Sequence, residues 1–127
     1  MRLSHLAIDA TGVTVLATTR RIAGVCPCCG ILTRRIHSRY LRRLADLPWL
    51  GLQVCLVLTT RRFFCDVPGC SRRIFSERLP GTAAPSASRT TRLATALDAL
   101  GLALGGEAAA RLAQVLGMGA AVRRSAG

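Results

Sequence analysis

Two hydrophobic periods divide this chain. As far as about residue 80, apolar positions alternate with polar ones or come in short bursts; from Thr90 they recur every three or four residues. In the first part, Leu3 to Ile8 and Val13 to Thr18 read as two short strands, with Asp9-Ala10-Thr11-Gly12 as the turn between them. Leu52 to Phe64 is the clearest strand: Leu52, Val54, Leu56 and Leu58 lie on one face, Gln53, Cys55, Val57 and Thr59 on the other. Thr33 to Arg43 is ambiguous. Ile36, Tyr40 and Leu44 fall at helical spacing, yet Ile36-His37-Ser38-Arg39-Tyr40 alternates, and its direct entry from a cysteine turn favours a strand. Asp46-Leu47-Pro48-Trp49-Leu50-Gly51 reads as a turn.

The helical period begins after a stretch rich in Pro, Gly, Ala and Ser. Leu93, Leu97, Leu100 and Leu104 mark one amphipathic helix, capped near Ser88 or Thr90 and stopped at Gly105-Gly106. Glu107 opens a second, with Ala109, Leu112, Ala113 and Leu116 as its buried face and Gly117-Met118-Gly119 as its end. A third is expected from Ala120, with too few residues left for more than two frayed turns. The expected fold class is α+β: a small β-rich domain over residues 1–80, a linker over 81–89, and a short helical segment over 90–127 resembling an incomplete helix-turn-helix.

Composition changes that picture in one respect. Half of the 127 residues are apolar, but much of this is Ala and Leu, and aromatics make up only 4%. A core so poor in large side chains needs a staple. The six cysteines supply one. Cys26 and Cys29 form a pair with two residues between them, Cys65 and Cys70 a pair with four, and Pro27, Gly30, Pro68 and Gly69 provide the tight turns. Two such knuckles are the pattern of a four-thiolate structural Zn²⁺ site. Bound zinc contributes on the order of 10–16 kcal/mol in zinc-finger peptides, comparable to a domain's net stability. Short strands entering and leaving the two knuckles describe a zinc ribbon.

Other uses of the cysteines fit less well. Three disulfides would need an oxidising compartment, and the first 25 residues have no signal-peptide pattern. No stretch reaches the ~18 apolar residues of a membrane span, so a reduced, cytoplasmic setting is expected. Redox chemistry at Cys26 and Cys29 would leave the second pair without a task. Cys28 sits inside the first knuckle, where it can compete for the metal; Cys55, in mid-strand, reads as a small buried hydrophobe. His37 is the one plausible non-cysteine ligand, though its basic surroundings suit a phosphate contact better.

The net charge is +12, and all 18 basic residues are Arg. Such an excess points to a polyanion, nucleic acid before a membrane surface. The candidate contacts are Arg34, Arg35, His37, Arg39, Arg42 and Arg43 between the knuckles, Arg61, Arg62, Arg72 and Arg73 flanking the second, and Arg123 and Arg124 near the end. Arginine contacts to phosphate are charge-assisted and often bidentate, but they carry no sequence information.

Five blocks in order are similar to the amino-terminal region of bacterial insertion-sequence transposases of the ISL-three family. They are Cys26-Pro27-Cys28-Cys29-Gly30, His37-Ser38-Arg39-Tyr40, Leu44-Ala45-Asp46-Leu47-Pro48, Arg61-Arg62-Phe63-Phe64-Cys65, and Arg72-Arg73-Ile74-Phe75-Ser76-Glu77-Arg78-Leu79-Pro80. The resemblance runs to about Gly117. It implies a zinc finger and helix-turn-helix that bind the terminal inverted repeats of a transposon, ahead of a catalytic domain with three carboxylates. None of Asp9, Asp46, Asp66, Glu77, Asp98 and Glu107 stands in a context suited to two-metal phosphoryl transfer. The chain is therefore expected to be a non-catalytic, truncated DNA-binding portion of a transposase. The alternatives are an interaction protein that pairs with itself or with full-length transposase, and a degenerate copy.

Overall fold

Leu52–Phe64, the clearest strand in the sequence, becomes the central strand. The computed structural model describes residues 2–118. Among them the elements are β1 (Arg2–Asp9), β2 (Gly12–Thr18), β3 (Gly24–Val25), β4 (Leu32–Thr33), β5 (Ile36–Trp49), β6 (Leu52–Phe64), β7 (Ile74–Ser76), α1 (Thr91–Leu104) and α2 (Gly106–Leu116). The main sheet runs β1-β2-β6-β5, with β7 also paired to β6. β6 lies antiparallel to β5 and parallel to β2. Residues 54–59 of β6 pair with β2, and residues 62–64 pair with β7. β3 and β4 form a separate two-stranded ribbon. Strand-rich ribbon and paired helices together make the α+β class expected from the two periods.

β5 settles the ambiguous stretch as strand and extends further than its composition suggests. Asp46–Trp49, expected as a turn, continues the strand through an irregularity between Asp46 and Trp49. The reversal shrinks to Leu50 and Gly51, both at positive φ (52° and 76°), as a tight two-residue hairpin requires. Pro48 is tolerated because it sits at the irregularity of an outer strand. Neighbouring chain then occupies the free side of β5. Ala45 N–H donates to Ser88 O (3.0 Å), and Thr90 N–H donates to Ala45 O (2.8 Å). Residues 81–89, read from composition as a linker, thus lie on the sheet: Ala83 is buried, and the Arg42 guanidinium donates to the Ala84 and Ala87 carbonyls.

Two apolar clusters fill the middle of the fold. Ala17, Leu44, Leu56, Leu58, Leu79 and Ala83 close one, on the face with the even-numbered residues of β6. Ala45, Leu93, Ala113 and Met118 form the other, with Leu47, Cys55, Ala96, Leu97 and Leu100 packed around them. Leu93, Leu97 and Leu100 of α1 pack inward as its period predicts, whereas Leu104 is 47% exposed, and Thr90 caps α1 by accepting the Leu93 N–H (3.3 Å). The buried face of α2 is narrower than expected. Ala109 and Ala113 are buried, but Leu112 and Leu116 remain 37% and 40% exposed, and Met118 takes the inward position. The helix end closely approaches the β5–β6 turn: a Cβ at Gly117 would lie 2.8 Å from Gly51 O. The third helix expected from Ala120 falls outside the described residues, as do Arg123 and Arg124.

Asp46 fastens α1 to the sheet. Its buried carboxylate accepts from Thr90 Oγ1 (2.8 Å), from the Leu47 N–H (2.8 Å), and from Arg92 through both Nε (2.7 Å) and Nη2. Burial alone would raise the pKa, but these hydrogen bonds and the Arg92 charge outweigh it and hold it below the ordinary carboxyl value. A depressed folded pKa means that this stabilisation is present above the unfolded carboxyl pKa and fades as pH falls through the folded value. Asp46→Asn should therefore cost about 2 kcal/mol at pH 7. The gap between variant and wild type, measured by urea unfolding, should narrow below about pH 4.

Candidate metal centre and basic surface

Each knuckle is held by its own backbone. In the first, Gly30 N–H donates to Cys26 O (2.9 Å) and Cys26 N–H to Ile31 O (3.0 Å), with Gly30 at φ 76°. β3 and β4 close its base by pairing Gly24 with Thr33 and Val25 with Leu32. In the second, Cys65 leaves the end of β6. Its N–H donates to Arg73 O (2.8 Å), and Cys70 N–H donates to Val67 O (3.2 Å) around Gly69 at φ 86°.

The two knuckles meet. The sulfurs of Cys26, Cys29, Cys65 and Cys70 all lie within 4.8 Å of one another, with Cys26 Sγ 3.9 Å from Cys70 Sγ and Cys29 Sγ 3.6 Å from Cys65 Sγ. A tetrahedral Zn²⁺ with Zn–S of about 2.3 Å sets its sulfurs roughly 3.8 Å apart, so the set fits zinc. The titration chemistry agrees. Cys26 is lowered to about 6, chiefly because the Cys29 backbone N–H stabilises its thiolate. At Cys65 the Val67 backbone N–H also lowers the pKa, but burial and the neighbouring sulfurs prevail and push it to about 12. Four thiolates this close need a cation to be charged together. Cys28 is exposed and outside the four-sulfur set, and Cys55 lies in the sheet, beside the helices.

Behind the sulfurs is a small aromatic core. Phe63 and Phe75 stack with ring centroids 5.7 Å apart, both essentially buried, against Cys26, Cys65, Ile36 and Val67. β7 delivers Phe75 opposite Phe63. Gly24 lies against the same ring: a Cβ there would sit 2.5 Å from Phe63 Cδ2. Sequence reasoning missed both Gly24 and Phe75. The strand-favouring pair Ile74-Phe75 was a usable signal for a strand; nothing local marked Gly24.

The expected DNA-contacting residues separate into two groups. Arg34, Arg35, His37, Arg39, Arg43, Arg72 and Arg73 are exposed. Arg35 lies over the Phe64 ring (4.5 Å) and pairs with exposed Asp66 (2.6 Å), while His37 meets Phe64 edge-on and has Nδ1 2.9 Å from Ser38 Oγ. Arg62 is half-buried, over the Tyr40 ring (4.0 Å). Arg42 is half-buried on the 84–87 carbonyls. Arg61 departs furthest from the expected outward-facing set, with only 14% of its side chain exposed. It donates to both Glu77 carboxylate oxygens, to Thr19 Oγ1 and to Arg21 O. The reason is register: the β6–β7 pairing sets Glu77 directly beside Arg61, and Arg61 N–H also reaches Glu77 Oε1 (3.2 Å). Burial raises the Glu77 pKa, but the bonds from Arg61 and Thr19 leave it lowered.

Cys65→Ser should abolish tight zinc binding, measured as bound metal by native mass spectrometry, whereas Cys28→Ser should retain one ion per chain. Gly24→Ala should retain all four sulfurs yet destabilise the zinc-bound protein by about 1–3 kcal/mol through overpacking against Phe63. Thermal denaturation in the presence of zinc measures that loss.

Residues 22–70 match a family model described as the zinc-finger of transposase IS204/IS1001/IS1096/IS1165. No curated protein and no solved structure matches the chain. The matched stretch holds both knuckles and all four converging thiolates, with β4, β5 and β6 between them. Ile22 to Cys70 is thus a stretch similar to the zinc finger of ISL-three-family transposases, with four cysteines placed to hold a structural Zn²⁺.

Proposed function

We propose that this zinc-ribbon module binds duplex DNA at the terminal inverted repeats of a transposon. The observation that carries the reading is the crowding of exposed guanidinium groups on the chain between and after the two knuckles of a transposase zinc ribbon. Arg39 and Arg43 lie on one face of β5, four residues apart. A strand advances about 3.3 Å per residue, so the two positions stand about 13 Å apart, far enough to meet separate phosphates of one backbone. Arg34 and Arg35 precede that row, and Arg72 and Arg73 follow the second knuckle. Zinc does no chemistry in this proposal; it fixes the surface on which the arginines stand.

The strand-spanning ribbon, more than the helices, supports the contact. Among the described residues, α1 and α2 carry Arg92 and Arg111 against Asp98 and Glu107, so their net charge is zero. Arg92 is held by Asp46, and Arg111 lies 3.7 Å from Glu107. Cutting and joining DNA is not assigned to these residues. Asp46 and Glu77 are bound to arginines, Asp9 caps its own turn, and Asp66 pairs with Arg35. No helix of the described residues is long and apolar enough to cross a membrane.

Gel-shift titration of the zinc-loaded chain should show tighter binding to a terminal-repeat duplex than to a scrambled one. Equal affinity would reduce the reading to non-specific binding, and no shift at low salt would remove it. Arg39→Ala combined with Arg43→Ala should weaken binding to both duplexes and flatten the log–log salt dependence by about 1.8, as expected for two lost phosphate contacts.

A further inference from the structure

We infer that the apolar face of the β1–β2 hairpin is a self-association surface that takes a second copy of this chain. Leu3, Leu6 and Ile8 of β1 are 68%, 55% and 54% exposed. They pair with Ala17, Val15 and Val13 of β2, whose partners on β6 are Leu58, Leu56 and Val54. The sheet face is therefore apolar across three strands but covered by Leu79 and Ala83 only at its far side. What is left uncovered forms a groove of about 460 Å³, floored by Val13, Val15, Val54 and Leu56 and rimmed by Leu3, Leu6 and Trp49.

Three observations select another copy as the occupant. The patch holds both parts of a self-complementary contact, protruding Leu6 and Trp49 at the rim and a concavity to receive them, as a two-fold interface requires. Its electrostatics permit self-approach. The chain carries +12 overall, yet residues 3–19 contain no arginine, and the charged pair at the groove, Asp46 with Arg92, is already neutralised. DNA would meet no arginine over residues 3–19, and an acidic protein would be drawn to the arginines elsewhere. The area is also sufficient. Leu3, Leu6, Ile8 and Trp49 together expose on the order of 500 Å² per copy, which brings two copies to roughly the 1,000 Å² at which specific association begins. Next to this patch Leu50 is 82% exposed at a positive φ of 52°, a conformation unfavourable for a leucine. The tight hairpin thus holds a further apolar side chain beside Trp49.

Sedimentation velocity of the zinc-loaded chain should show a monomer–dimer equilibrium, with dimer evident at concentrations of about 100 μM. Leu6→Asp should raise the concentration needed for dimer by about tenfold or more, while Leu102→Asp, at the 90% exposed position on α1, should leave it unchanged. Trp49 is the only tryptophan, so wild-type fluorescence supplies a readout that needs no variant: its emission should shift to the blue as concentration rises. A chain that stays monomeric at 100 μM overturns the inference. So does a dimer whose formation leaves Trp49 unshifted, or one broken by Leu102→Asp but not by Leu6→Asp. None of these outcomes depends on whether the arginines bind DNA.

Discussion

The convergence of four sulfurs at the end of β6 is the constraint from which the rest of the zinc-proximal half follows. Cys65 is the next residue after the central strand, so the strand's end is also a metal ligand. Cys26 and Cys29 reach it from a separate, short two-stranded ribbon that could not hold its place alone. Among the described residues, the packing between them is the Phe63–Phe75 pair and the few side chains around it. With so little apolar area to bury, metal coordination does what a larger core does elsewhere. It also restrains the β5–β6 ribbon that carries the exposed arginines, which links folding directly to surface charge.

Away from the metal, two buried carboxylates perform the same service by different means. Glu77 ties β7 and the 19–21 segment to Arg61, and Asp46 ties the start of α1 to β5. In each, a carboxylate nearly removed from water is compensated by several donors, the condition under which a buried charge is tolerated. Arg61 and Arg92 are consequently spent on architecture. The arginine excess overstates the charge that a polyanion would meet.

The parts of this structure legible in the sequence are those determined by local pattern. The knuckles, β6, both hairpin strands and the two helices follow from spacing and period, and the cap of α1 was narrowed to Ser88 or Thr90 because capping depends on near neighbours. What could not be read depends on strand register. Composition marks Pro48 as a turn residue, but β5 continues through it because an outer strand with an irregularity has no need of its N–H. Arg61 looks like its neighbour Arg62 until β7 places Glu77 beside it and leaves Arg62 over Tyr40. Gly24 has no local signature at all; its requirement comes from a ring 39 residues further along the chain.

The sheet segregates its chemistry between strands. β5 and β6 carry arginines from Arg62 near the zinc knuckles back to Arg43 opposite Val57; β1 and β2 present aliphatic side chains with no arginine from residue 3 to 19. Mixed on one face, these properties would oppose one another, since apposing two copies would bring like charges into a poorly solvated contact. Kept apart, they leave the basic surface of each copy open while the apolar surfaces meet. The parallel pairing of β2 with β6 makes this separation possible. It attaches the hairpin to the half of β6 furthest from Cys65, so the metal and the apolar groove occupy opposite ends of the same strand.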